Sequence, residues 1–134
     1  MIFQKASDKS KEKIRIAVID DEKMILNVFS SIMRQFGYQA DFFTNSFQAF
    51  EAIVNAAGAY QLVVSDIRMA GMDGITFAKK IRVVYPQLPF IFMTGDLTEE
   101  IKSEAEKLGR MEMFQKPFPL VATLNEAIKK LVGP

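Results

Sequence analysis

Ile14-Arg15-Ile16-Ala17-Val18-Ile19-Asp20-Asp21 is a short, mostly apolar run that ends on two adjacent carboxylates. The same design recurs downstream: Leu62–Ser65 leads into Asp66, Phe90–Met93 into Thr94, and Met111–Gln115 into Lys116-Pro117. Short apolar runs of this kind fit strands buried on both faces of a parallel sheet. Such strands deliver the residues that follow them to one shared edge. Side by side, they would gather Asp20, Asp21, Asp66, a hydroxyl and an ammonium in one place. That set suits a divalent cation and a phosphoryl group, and it is hard to explain as packing.

The intervening segments read as helices. Met24, Ile25, Val28, Phe29, Ile32, Met33 and Phe36 form one apolar stripe, closed by Gly37. Tyr38–Phe43 reads as a strand. A helix carrying Phe47, Phe50, Val54 and Ala57 follows, with Asn45 or Ser46 as its N-cap and Gly58 at its end. Phe77, Ala78, Ile81 and Val84 mark a third helix that stops before Pro86. Asp96 with Glu99 offers a capping box for a fourth, carrying Leu97, Ile101, Ala105 and Leu108. Leu120, Val121, Leu124, Ile128 and Leu131 complete a fifth, which Pro119 could start. Strands alternating with helices imply an α/β fold with helices on both faces of a parallel sheet. The flavodoxin-like, doubly wound strand order 2-1-3-4-5 makes the first and third strands neighbours. Asp20, Asp21 and Asp66 then sit at the topological switch point, where open α/β sheets bind ligands.

Composition narrows the chemistry. The chain has 134 residues, enough for one domain with a real core, and 49% of them are apolar. Its net charge of +1 offers no broad field for nucleic acid or anionic membrane. No apolar run is long enough to span a bilayer, and the start lacks the apolar stretch of a signal peptide, which argues against export. Residues 1–13 read as a polar, disordered leader and 14–133 as the folded domain. Cysteine and histidine are both absent, so carboxylates, hydroxyls and amines must carry any chemistry.

Each candidate has an ordinary explanation when taken alone. Asp20 or Asp21 could cap the helix that follows, and Asp66 could make an Asx-turn. Thr94 could be a plain strand end and Lys116 a surface lysine. The functional reading draws on their conjunction. Adjacent carboxylates repel, and a bound cation relieves them. Magnesium commonly takes one or two carboxylates plus a phosphate. Asp66 could act as a nucleophile toward phosphorus. The Thr94 hydroxyl, the Gly95 N–H and Lys116 could hold phosphoryl oxygens.

These motifs resemble the receiver domain of bacterial two-component response regulators, the chemotaxis-regulator type. The stretches that carry the likeness are Val18-Ile19-Asp20-Asp21-Glu22, Val64-Ser65-Asp66-Ile67-Arg68-Met69-Ala70-Gly71-Met72-Asp73-Gly74, Met93-Thr94-Gly95 and Lys116-Pro117-Phe118. The resemblance implies that Asp66 accepts a phosphoryl group from the phosphohistidine of a sensor histidine kinase or phosphotransfer protein. It implies Mg²⁺, with Mn²⁺ as a substitute, held directly by Asp21, Asp66 and the backbone carbonyl of Arg68, and by Asp20 through water. Thr94 and Lys116 would bind the phosphoryl oxygens, and the Lys116-Pro117 bond would be cis. The expected protein is a cytoplasmic switch rather than an enzyme. Its downstream partner or output domain would dock around Glu99–Lys107, Met113 and Leu120–Lys130, with homodimer formation left open. No DNA-binding segment fits before Ile14 or after Gly133, so the expectation is a stand-alone receiver or a piece of a larger regulator or hybrid kinase.

Two positions depart from the family pattern. Ala70 replaces the usual proline, and Met113 replaces the usual aromatic of the switch, with Phe114 expected on the opposite face of its strand. Arg68 and Asp96, each two residues past a site residue, could pair across the mouth and slow dephosphorylation. Three other readings compete. A haloacid-dehalogenase-type phosphatase also uses an aspartate nucleophile, but Arg68 occupies the place of its general acid. A pseudo-receiver would bind partners without phosphorylation. A flavin protein of this fold would need a phosphate-cradling loop where Asp20-Asp21 stand.

Overall fold

The computed structural model describes residues 14–116 and 121–133. Five strands alternate with five helices: β1 (Arg15–Ile19), α1 (Lys23–Phe36), β2 (Gln39–Phe43), α2 (Ser46–Asn55), β3 (Leu62–Asp66), α3 (Gly74–Val84), β4 (Phe90–Thr94), α4 (Glu99–Glu106), β5 (Met111–Gln115) and α5 (Val121–Val132). All pairings are parallel, and the order is β2-β1-β3-β4-β5. This is the expected doubly wound, flavodoxin-like arrangement. The polar tips belong to the strands more closely than the sequence suggested, because Asp66 and Thr94 are the last residues of β3 and β4.

Side-chain alternation divides the apolar residues between two faces. Ala17, Ile19, Val63, Phe90 and Phe92 pack against Ile53 of α2, Phe77 and Ile81 of α3, and Ala105 of α4. Ile16, Val18, Val64, Ile91 and Met93 pack against Phe29 and Met33 of α1 and Leu124 and Ile128 of α5. Phe90 stacks on Phe92 at 5.4 Å between centroids and meets Phe77 edge-on at 6.1 Å. Each such ring, fully buried, contributes about 1.5–3 kcal/mol by leaving water. Register sets the working edge: Ile19 pairs with Ser65, Asp66 with Met93, and Thr94 with Gln115, so the strand tips end nearly level.

Local signals fix the helix ends. Gly37 closes α1 in the left-handed conformation. Asn45 caps α2 by accepting from the N–H groups of Phe47 and Gln48. Asp73 caps α3, accepting from Thr76. The cap of α4 differs from the expectation. Thr98 accepts from the Ile101 N–H, and Asp96 lies outside the helix, turned toward Arg68. Leu97 likewise precedes α4. The Arg82 guanidinium of α3 reaches the carbonyl of Leu88, just before β4, and those of Leu108, Gly109 and Arg110, just after α4. Pro117, Pro119 and Leu120, with the cis bond and helix start assigned to the prolines, lie outside the described residues.

Candidate functional site

Asp20 leaves β1 with its N–H donated to the Phe43 carbonyl at 3.1 Å, which ties the tip of β1 to that of β2. Its Oδ1 accepts from the Glu22 N–H at 2.9 Å, so it shapes the turn into α1. Its Oδ2 lies 3.1 Å from Lys116 Nζ. Asp20 does not cap α1, whose N-cap is Glu22 without a side-chain cap bond; one of its oxygens shapes the turn and the other faces Lys116. Asp20 is 2% exposed and Asp66 5%, whereas Asp21 is open to solvent.

Asp66 is held by its backbone as well as its strand. Gly74 donates its N–H to the Ile67 carbonyl at 2.8 Å, folding the start of α3 onto the tip of β3. A Cβ at Gly74 would stand 2.2 Å from the Asp66 carbonyl oxygen, so only glycine fits. Thr94 is fully buried, and its hydroxyl accepts from the Asp96 N–H at 3.2 Å. Lys116 is anchored by its own N–H, donated to the Thr94 carbonyl at 2.7 Å. Next to Thr94, a Cβ on Gly95 would meet nothing within 4 Å. The space over that peptide is open to a ligand.

The structure brings the predicted set together. One carboxylate oxygen from each of Asp20, Asp21 and Asp66 lies within 4.8 Å of the others. Two oxygens bound to one Mg²⁺ at about 2.1 Å stand about 3 Å apart when adjacent and about 4.2 Å apart when opposite. Little closure is needed, and hard carboxylate oxygens are the donors this ion prefers. Lys116 Nζ stands among the acids, 3.1 Å from Asp20, 3.4 Å from Asp66 and 3.5 Å from Glu22. The Glu22 carboxylate is a member that sequence reading did not single out. Its signal was present, as the third acid in Asp20-Asp21-Glu22.

Electrostatics register the crowding. Burial pushes the Asp66 carboxyl up to about 6, and the Asp20 charge adds to that rise while Lys116 opposes it. Burial also raises Asp20, against the Glu22 N–H and Lys116. Burial alone would lower Lys116, but its hydrogen bond to Asp20 and the charges of Asp20 and Asp66 outweigh it, and the net shift is upward. At the mouth, Arg68 Nη2 and Asp96 Oδ2 pair at 2.6 Å, both well exposed. Met113 packs with the core on the Phe92 side of the sheet, and Phe114 with the opposite core. The aromatic neighbour therefore cannot stand in for Met113.

Known proteins share this architecture. The ZraR transcriptional regulatory protein of Klebsiella oxytoca is 34% identical over 122 residues, which cover 89% of this chain but 27% of that protein. This chain therefore spans about a quarter of the length of its ZraR relatives. Sporulation initiation phosphotransferase F of Bacillus subtilis is 28% identical over 87% of this chain and 91% of its own length. A chain of the solved CheX-CheY-BeF3-Mg²⁺ complex from Borrelia burgdorferi shares the fold, with a TM-score of 0.85 over 94% of each chain at 18% identity. Among the described residues no helix is long and apolar enough to cross a membrane. The family model for the response regulator receiver domain, a signalling module, matches residues 16–129, and with the strand order and the acidic edge in agreement, the chain belongs to that family.

Proposed function

We propose that Asp66 is the phosphoacceptor of this receiver domain, residues 14–133, and that its phosphorylation switches the binding of a partner. The observation that carries the reading is the convergence of the Asp20, Asp21 and Asp66 oxygens within 4.8 Å, with the Lys116 ammonium beside them. Asp20, Asp21, Asp66 and the Arg68 carbonyl would hold Mg²⁺. Bound there, the ion would supply charge neutralisation for the transferring phosphoryl group.

The chain's own groups do the rest. An Asp66 oxygen attacks phosphorus, and an acyl–O–P bond forms. The bond from phosphorus to the donor's imidazole nitrogen breaks, and its electron pair leaves with the imidazole. Around neutral pH, a carboxyl titrating at about 6 is mostly ionised and ready to attack. Lys116, already shared among the acids, follows the new charge. The Thr94 hydroxyl, which accepts from the Asp96 N–H, donates its own proton to a phosphoryl oxygen, and the Gly95 N–H donates to another. Arg68 and Asp96, paired over the mouth, hinder in-line water and lengthen the life of the acyl phosphate. The change at Thr94 reaches β5 through the Lys116 N–H, and so the face formed by α4, β5 and α5. The donor fitting this chemistry is the phosphohistidine of a kinase or phosphotransfer protein, a reaction that belongs to the cytoplasm. The similar Borrelia complex, which contains Mg²⁺ and BeF3, supports the choice of ion.

Incubation with acetyl phosphate and Mg²⁺, followed by intact-mass measurement, tests the proposal. One phosphoryl adduct on the wild type and none on Asp66→Asn is expected. Absence of any adduct would refute it, and steady turnover of phosphate esters would point to a phosphatase instead.

A further inference from the structure

The loop between β3 and α3 spans residues 67–73, with Arg68, Ala70 and Gly71 along it and Asp73 at its end as the cap of α3. Its base is closed by the Gly74 N–H on the Ile67 carbonyl. Its outer part is held from elsewhere, by the first turn of α2. Ser46, one of the two residues the sequence offered as the α2 cap, does not cap the helix. Its hydroxyl, 1% exposed, donates to the Met72 carbonyl at 2.8 Å, a bond 26 residues long in sequence and buried. Phe47 lies over Gly71, since a Cβ there would stand 2.9 Å from its Cε2. Gly71 itself has φ +83°, a conformation that resists any side chain. Asn45 fixes the first turn of α2 by accepting the N–H groups of Phe47 and Gln48. Phe47 is 59% exposed, an unusual place for a ring whose role is core packing.

Resting on the function proposed above, we infer that Ser46 and Phe47 are positioning residues for the cation site. They brace the 67–73 loop from α2 and so fix the Arg68 carbonyl and the Asp66 tip for Mg²⁺. The loop's own sequence provides little stiffness, because Ala70 and Gly71 leave its backbone free to move. The brace restricts it. Ser46 supplies the hydrogen bond that the buried Met72 carbonyl needs, and Phe47 closes over the glycine at the bend. Neither side chain is a ligand, so both act only through the loop.

Mg²⁺ titration by calorimetry on the full chain tests this, with wild type, Ser46→Ala, Phe47→Ala, Asp66→Asn and Ile128→Val compared. Ile128→Val lowers stability from the opposite face of the sheet, in α5, and controls for loosening in general. Ser46→Ala and Phe47→Ala are expected to weaken Mg²⁺ binding about 10-fold, the low end for groups supporting metal ligands. Ile128→Val should leave it unchanged. The amide resonances of residues 68–73 should shift in both brace variants before any metal is added. Phe47→Ala, at a mostly exposed position, keeps the test open should Ser46→Ala fold poorly. If Asp66→Asn weakens binding while both brace variants stay within about twofold of wild type, this inference is overturned and the function stands. A wild type that binds no Mg²⁺ at millimolar concentration overturns the function, and this inference with it.

Discussion

Replacing Asp66 by asparagine should make the metal-free protein's stability less sensitive to pH, by an amount set by the site. Burial and the Asp20 charge raise the Asp66 carboxyl from an ordinary 3.8 to about 6. The folded state thus favours the protonated acid. The resulting stabilisation is complete below the unfolded pKa and is lost as pH rises through about 6. Around pH 5, about one unit below the folded value, it amounts to about 1.4 kcal/mol, and by about pH 7.5 it has vanished. Asparagine is nearly isosteric with the protonated acid and does not titrate. Urea unfolding followed by circular dichroism, in chelator at both pH values, should show the wild type losing about 1.4 kcal/mol more than Asp66→Asn. Mg²⁺ at about ten times its Kd should return about that much to the wild type at the higher pH. Wild type and variant changing in parallel to within about 0.5 kcal/mol would refute the reasoning, because Asp66 would then share no desolvated site with Asp20.

Arg68→Ala should shorten the lifetime of phospho-Asp66, followed by intact mass after donor removal, while folding stability moves by less than about 1 kcal/mol because the pair with Asp96 is exposed. An unchanged lifetime would mean that the pair shields nothing. Lys116→Met leaves Asp20 and Asp66 buried together without a cation and should cost about 3 kcal/mol in metal-free buffer at neutral pH, measured by urea unfolding. Its labelling by acetyl phosphate should fall at least about tenfold, the rate equivalent of about 1.4 kcal/mol. Gly74→Ala, which drives a methyl against the Asp66 carbonyl, should cost about 3 kcal/mol or more and abolish labelling, measured by thermal unfolding and intact mass.

The readable parts of this protein were those written in local pattern. Runs such as Ile16–Ile19 and Phe90–Met93 are apolar because parallel strands are covered on both faces, so the strands and their polar tips could be read directly. Right-handed crossovers leave few topologies, of which the order 2-1-3-4-5 was the one expected, and the gathering of Asp20, Asp21, Asp66 and Lys116 follows from that order. Period-two alternation also separated Met113 from Phe114. Where sequence reading failed, two local signals competed or a distant partner decided. Asp96 and Thr98 both precede α4 with capping chemistry. Thr98 stands beside the first helical residue and wins, and Asp96 is drawn off to Arg68. Ser46 could equally have been a cap, and only the approach of the Met72 carbonyl reveals its use. The four carbonyls gathered by Arg82 have no sequence signature, because Leu88 and the segment 108–110 lie far from one another in sequence and meet only in the folded chain.

The working edge is where this fold accepts poor local energetics. Everywhere below it the strands bury apolar side chains against two helical layers, and no buried side-chain polar atom among the described residues lacks a partner. At the tips, two nearly buried carboxylates share a single lysine with a third acid, Glu22. That lysine is itself pinned through its backbone to Thr94. In the proposed function, the charge of a phosphoryl group on Asp66 competes with Asp20 and Glu22 for that lysine. Lys116 would then move toward Asp66, and its backbone bond to Thr94 would carry the adjustment to β4 and β5. Packing below the edge is stiff, with Phe90 and Phe92 stacked directly beneath Thr94's strand end. In the proposed function the displacement would meet least resistance sideways, toward α4, whose one buried residue is Ala105, rather than downward into the core. A site that is electrostatically strained at rest, set on a rigid base and beside a lightly anchored helix, has the physical makings of a switch.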